Sequence, residues 1–146
     1  AIAALEEGSK KHAELRKLSL EARAGEGYAL IALKQGKQAI TFFESQLSSA
    51  LKTDSALRYA SLLGLGEAFL AENRVREAQI KFAQVSSLDH TDRDRVARAL
   101  FRLAESTESL ADPNSTGTVK AWLNTIVNEY GDTLWANPAR KRLETM

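Results

Sequence analysis

Few residues here have the type and spacing for chemistry. Ser49-Ala50-Leu51-Lys52 sets a hydroxyl three residues from an amine, the spacing of some serine acyl-transfer enzymes. The companion motifs of that chemistry are absent, so chance spacing is the simpler reading. Gly25-Glu26-Gly27 and Gly64-Leu65-Gly66 match the opening of a dinucleotide loop, but neither has the third glycine and neither follows a strand. Close packing between helices accounts for both. His12 and His90 are the only histidines, and neither has a second ligand at metal spacing. The pairs Glu6/Glu7 and Asp92/Asp94 fall near helix starts or on polar faces, where the helix dipole and solvation explain them without acid–base work. Asn114-Ser115-Thr116 fits a glycosylation sequon, which matters only in a eukaryotic secretory protein. There is no cysteine, which excludes a disulfide scaffold, a zinc knuckle, an iron–sulfur cluster and a thiol nucleophile. The expectation is a protein that is not an enzyme and has no cofactor or metal.

Arg95, Arg98 and Arg102 stand apart. At i, i+3 and i+7 they form one stripe on a helix. Such a stripe could hold an acidic peptide or a carboxyl terminus through bidentate contacts. The plainer alternative is a solvated face paired with Asp92, Asp94 or Glu105. The whole chain offers no broader basic field. Twenty Lys and Arg stand against nineteen Asp and Glu, a net charge of +1, which argues against nucleic acid as a partner. No apolar run approaches the roughly 18 residues of a membrane-spanning helix, so no integral membrane segment is expected.

These residues must be positioned by helices. The chain has 146 residues, the size of one domain, and only two prolines, Pro113 and Pro138. Ala, Leu, Glu, Lys, Arg and Gln dominate the proline-free stretch, and all favour helix. No alternating β-branched run and no Asn-Gly or Asp-Gly turn signals a strand. The chain reads as all-α.

An internal repeat organises it. Shifted by 39 residues, 18–48 matches 57–87 at eight of 31 positions. The matches are Leu18/Leu57, Gly25/Gly64, Gly27/Gly66, Ala29/Ala68, Ala32/Ala71, Ala39/Ala78, Phe43/Phe82 and Ser48/Ser87. Small residues let two helices approach, and a large ring fills the space beside them. Each copy reads as a helical hairpin. The first runs from Leu20 to Gln35, turns at Gly36 and returns through Ala39, Phe43 and Leu47. The second is capped by Asp54 or Ser55, runs to about Glu72, turns at Asn73-Arg74 and returns through Val75, Ala78, Phe82 and Val85. A diverged third pair follows. Thr91 with Asp94 resembles a capping box ahead of Val96, Ala99, Leu100, Leu103 and Ala104. The loop 112–117 then leads to Val119, Trp122, Leu123, Ile126, Val127 and Tyr130. A last helix carries Ala139 and Leu143, with Asn137 as cap and Pro138 in first position. The expected segments are an N-terminal helix over 1–19, hairpins over 20–52, 53–90 and 91–131, and a capping helix over 132–146.

Leu65-Gly66, Phe69, Asn73, Ala78, Phe82 and Val85 are spaced like the tetratricopeptide repeat, and Gly27, Ala39 and Phe43 match the same skeleton less completely. The 39-residue period exceeds that family's roughly 34. The signature Trp and the closing Pro are absent. Ala121 to Leu143, with Ile126, Tyr130, Asp132-Thr133 and Ala139, resembles repeat endings of bacterial envelope members of the family, with Gly131 where those have Pro. The resemblance covers about 20–145. It implies a right-handed superhelical stack of antiparallel helix pairs whose first helices line a concave groove. It also points to a bacterial periplasm or envelope location, with cytoplasm equally open. By alignment the second repeat's groove positions are Leu63, Gly64, Glu67, Leu70 and Ala71, a mostly apolar and weakly acidic lining suited to an amphipathic or extended peptide. The Arg95, Arg98 and Arg102 stripe would lie on the third repeat's groove helix. The carboxylate-clamp pattern of chaperone-binding relatives does not occur.

The expected function is a protein-interaction scaffold that binds a peptide or helix, through Leu63, Glu67, Leu70, Arg95, Arg98 and Arg102. The alternative is a structural or oligomerisation segment whose groove is filled by the same chain or a second copy. Ala1-Ile2 looks like the Ala39-Ile40 that opens a second helix, and Ile2, Leu5, His12, Leu15 and Leu18 continue an amphipathic spacing interrupted by Gly8. This reads as a piece of a longer array, or a mature chain, whose exposed N-terminal edge would invite self-association.

Overall fold

In a computed structural model, residues 2–50 and 52–146 are described. Ala1, read above with Ile2 as a helix opening, and Leu51, inside the Ser49–Lys52 motif, lie outside them. Among the described residues the chain is all-α, with no strand. Seven α-helices follow in order: α1 (Ile2–Ala32), α2 (Gly36–Ser49), α3 (Ser55–Ala71), α4 (Val75–Leu88), α5 (Arg93–Ser109), α6 (Thr116–Glu129) and α7 (Ala136–Glu144), with a 3-10 turn at Pro113–Ser115.

The turns repeat as the residues do. Lys34, Asn73 and Ala111 adopt left-handed backbone with φ of 61°, 60° and 53°, each just beyond α1, α3 and α5. Gln35 N donates to Leu30 O and Arg74 N to Phe69 O, both at 2.8 Å. That is the same helix-ending bond, 39 residues apart, and it satisfies carbonyls the helix leaves open. Asp54 caps α3 by accepting from Leu57 N at 3.1 Å.

The local expectations are corrected at four places. No boundary exists near residue 19, because α1 runs unbroken from Ile2 to Ala32 through Gly8. The first turn occupies 33–35, and Gly36 instead opens α2, where its missing Cβ leaves room for the Glu72 side chain. Asp92 rather than Thr91 caps α5, accepting from Arg95 N at 3.0 Å, because Thr91 is drawn back to Asp89. Trp135 rather than Asn137 precedes α7, so Pro138 sits within its first turn and not at its first position.

Packing follows chain order. Each helix packs on the next, and α1 also packs on α3 and α3 on α5. The ring of Phe43 lies between Gly27 of α1 and Gly64 of α3, and a Cβ at either glycine would clash with carbons of that ring. Gly66 meets Phe82 likewise, its would-be Cβ lying 2.6 Å from the ring. Both phenylalanines are fully buried. These contacts belong to a first core with Leu62, Leu65, Phe69 and Val85, and a second core gathers Val96, Leu100, Val119, Leu123, Ile126 and Ala139. Trp122 touches both. By register with α3, residues 2–15 of α1 run ahead of it for about 20 Å, and Ile2, Leu5 and Leu15 there are exposed.

Candidate functional site

The amphipathic face of α5 turns Val96, Ala99, Leu100 and Leu103 inward and leaves the arginine stripe on the opposite side. The stripe does not stand free. Arg98 grips Glu67 of α3 in a two-pronged pair, Nε to Oε1 at 3.0 Å and Nη2 to Oε2 at 2.5 Å. Arg102 donates to the same Glu67 at 2.9 Å and to Glu105 at 2.6 Å. The Glu67 side chain is only 11% exposed, so the pairs are partly shielded from solvent. Aromatic faces complete the cage. The Arg98 guanidinium lies 4.9 Å from the Tyr28 ring centre, and Arg102 lies 5.3 Å from that of Trp135. Burial, and next the Glu67 charge, hold the Tyr28 hydroxyl protonated well above its usual range, against the opposing pull of Arg98 and Arg102. Burial disfavours the charge on Arg102, but the hydrogen bonds to Glu105 and Glu67 outweigh it and raise its pKa.

Arg95 does different work. Its Nε donates to Asp89 at 2.6 Å and its Nη2 to Thr91 at 2.9 Å, which staples the α4–α5 turn. Burial pushes the Asp89 carboxyl up, but donation from Arg95 and from the Thr91 side chain and backbone prevails and holds it below the ordinary carboxylate value.

The six residues read as a binding set therefore separate. Leu63 is 4% exposed and belongs to the first core, so it is corrected from groove lining to packing. Gly64 faces Phe43 rather than a groove. Glu67, Leu70 and Arg102 come together, with Ile31, Glu105 and Ser106, around a shallow cleft of about 360 Å³. Arg98 lies behind them against Tyr28. Arg95 borders a wider cleft of about 870 Å³ between α1 and the starts of α3 and α5. Its walls carry Arg16, Lys17 and Arg23 on one side and Asp54, Asp92, Asp94 and Asp132 on the other. Those four carboxylates already accept from Leu57, Arg95, Leu134 and Arg93 respectively.

Sequence reasoning missed Tyr28, Asp89 and Trp135. Tyr28 had a usable signal, because it stands 39 residues before Glu67 and so at the same register on the preceding first helix. Asp89 had a weaker one in the Asp-x-Thr turn. Trp135 lies in a linker without periodicity, and only the packing of α6 on α5 and of α7 on α6 brings it to Phe101, with ring centres 5.3 Å apart.

The other chemistry candidates are plain surface groups. Ser49 donates its hydroxyl to Gln46 O at 2.9 Å. His12 and His90 are exposed. Among the described residues no three of His, Asp or Glu gather closely enough to hold a metal ion, and no helix is long and apolar enough to cross a membrane.

The class defined so far is an all-α chain of helices packed in sequence, with two shallow clefts along α1, α3 and α5. No protein-family model, no curated protein and no solved structure matches the chain.

Proposed function

We propose that this chain is a non-catalytic protein-interaction scaffold, a tetratricopeptide-like right-handed stack that holds a peptide or helix against α1, α3 and α5. The observation that carries the reading is the cleft at Ile31, Glu67, Leu70 and Arg102. It pairs apolar side chains with charged groups locked in place by Glu67, Glu105 and Trp135. Pre-set polar groups beside apolar surface orient a ligand at low entropic cost. Because Arg98 and Arg102 are already matched by Glu67 and Glu105, the ligand is an amphipathic peptide and not a strongly acidic one.

The test is selection of binders from a random peptide library, followed by fluorescence anisotropy. Selected peptides lose at least tenfold in affinity for Leu70→Glu, while the helical CD signal stays. Peptides that bind Leu70→Glu equally well, or no enrichment at all, would reject the groove.

A second reading, a structural segment completed by another helix, draws on a separate observation. The outer face of α1 is uncovered along the length that packs on α2 and α3, with Leu18 60% exposed and Gly25 open to solvent.

A further inference from the structure

The face of α1 that points away from α3 carries Leu15, Leu18, Ala22, Gly25 and Ala29, spaced three and four apart in one continuous stripe. All five are exposed. The same register on α3 holds Leu57, Ser61, Gly64 and Ala68, and all four are buried. What buries them is known from within the molecule. The second helix of the preceding hairpin, α2, lays Phe43 against Gly64 and brings Gln46 within 3.4 Å of Ser61. At Gly25 a Cβ would meet nothing within 4 Å. The small-residue stripe thus has an internal precedent for its occupant, aligned residue for residue. Around Gly25 the stripe is bordered by Glu21 and Glu26, both exposed, while Lys11, one turn before Leu15, is paired with Glu7.

We propose that the outer face of α1 is a socket for an amphipathic helix that presents a phenylalanine to Gly25 as α2 presents Phe43 to Gly64, with basic residues beside the ring. This inference rests on the second reading above and is independent of the groove at Leu70. Helix docking into an apolar stripe through spaced anchors is a common recognition mode. Here the anchor is the ring, and Gly25 supplies the depth that any larger side chain would fill.

The probe is a helix-locked synthetic peptide copying Gly36–Ser49, titrated against the whole chain by fluorescence anisotropy. Saturable binding is expected. It falls at least tenfold when the peptide carries Phe43→Ala, and again when the protein carries Gly25→Leu. The melting midpoint of Gly25→Leu is expected not to fall, so any loss of binding reports the socket and not the fold. A peptide with Glu44→Lys binds severalfold tighter at low salt; equal affinity would overturn the basic-flank assignment. No binding, or binding indifferent to Phe43→Ala or to Gly25→Leu, would overturn the socket. Binding lost in Leu70→Glu but kept in Gly25→Leu would move the peptide to the groove, overturning the socket and supporting the scaffold reading. Dimerisation seen by sedimentation, abolished by Gly25→Leu and unaffected by the peptide, would assign the face to a second copy and overturn the proposal.

Discussion

Two helices of this protein, α1 and α3, carry matched glycines and alanines in the same register and meet different surroundings. Gly64 of α3 is pressed against the Phe43 ring, whereas Gly25 of α1 faces solvent. Ala68 is fully buried and Ala29 is exposed. What distinguishes them is whether a preceding hairpin lies against the helix. A glycine conserved between two copies of a motif can therefore be structural in one and a vacant contact in the other. The junctions differ as well. Between the first and second hairpins the ring of Phe43 sits between two glycines. Between the second and third, Asp89 with Arg95 and Glu67 with Arg98 and Arg102 add ion pairs. The position matching Asp89 in the first junction is Ala50, which has no such bond to make.

The largest test of this contrast is Phe43→Ala. The change empties a site shared by α1, α2 and α3, and is expected to cost about 3–5 kcal/mol, read by urea denaturation. A loss below about 1 kcal/mol would mean that the ring does not join the hairpins. Next comes the second junction. Asp89→Asn leaves the Arg95 charge poorly matched and should cost about 1–3 kcal/mol at neutral pH. The pH dependence has a defined sign. The folded carboxyl lies below its unfolded value, so its contribution is present above about pH 4 and is lost as pH falls through the folded pKa. In Asp89→Asn the acid limb of a stability profile flattens; an unchanged limb would assign acid sensitivity to other carboxylates. Gly64→Leu overpacks the Phe43 contact and should cost about 1–3 kcal/mol. At the matching position, the smaller change Gly25→Ala is expected to do the opposite. With nothing within 4 Å it gains helix propensity, about 0.5–1 kcal/mol. Equal melting shifts for the two glycine substitutions would erase the distinction between the faces.

Much of the fold is legible in the residues. Proline placement and helix-favouring composition set the all-α class, and the buried positions Val96, Ala99, Leu100, Leu103 and Ala104 follow from helical period alone. The glycine–phenylalanine contacts were visible as matched identities. Helix ends were less so, because capping depends on competition. Thr91 has the chemistry of a cap, but Asp89 takes its hydroxyl and leaves the role to Asp92. The continuous α1 was hidden because the 39-residue match begins only at Leu18, so the stretch before Leu20 read as a separate helix, although no proline or cap breaks the chain there.

The candidate site was legible only in part. Glu67, Leu70 and Arg102 were found through their register, and they do share a cleft. Leu63 was misplaced because its helix, α3, is enclosed by α1, α2, α4 and α5, and a periodicity cannot tell a half-covered helix from a surrounded one. Of the partners expected for the arginine stripe, Glu105 and Asp92 do pair with Arg102 and Arg95, but Glu67 lies 31 and 35 residues from Arg98 and Arg102, and Trp135 lies beyond α6.

Local sequence by itself determined which segments are helices and which side chains are apolar, because both depend on neighbours within one or two turns. Only the tertiary structure decided which of two similar faces is covered, which charges are spent inside the fold, and where Tyr28, Glu67 and Trp135 meet. Those outcomes depend on which helix surfaces come within contact distance, and short-range interactions register nothing until the chain has brought them there.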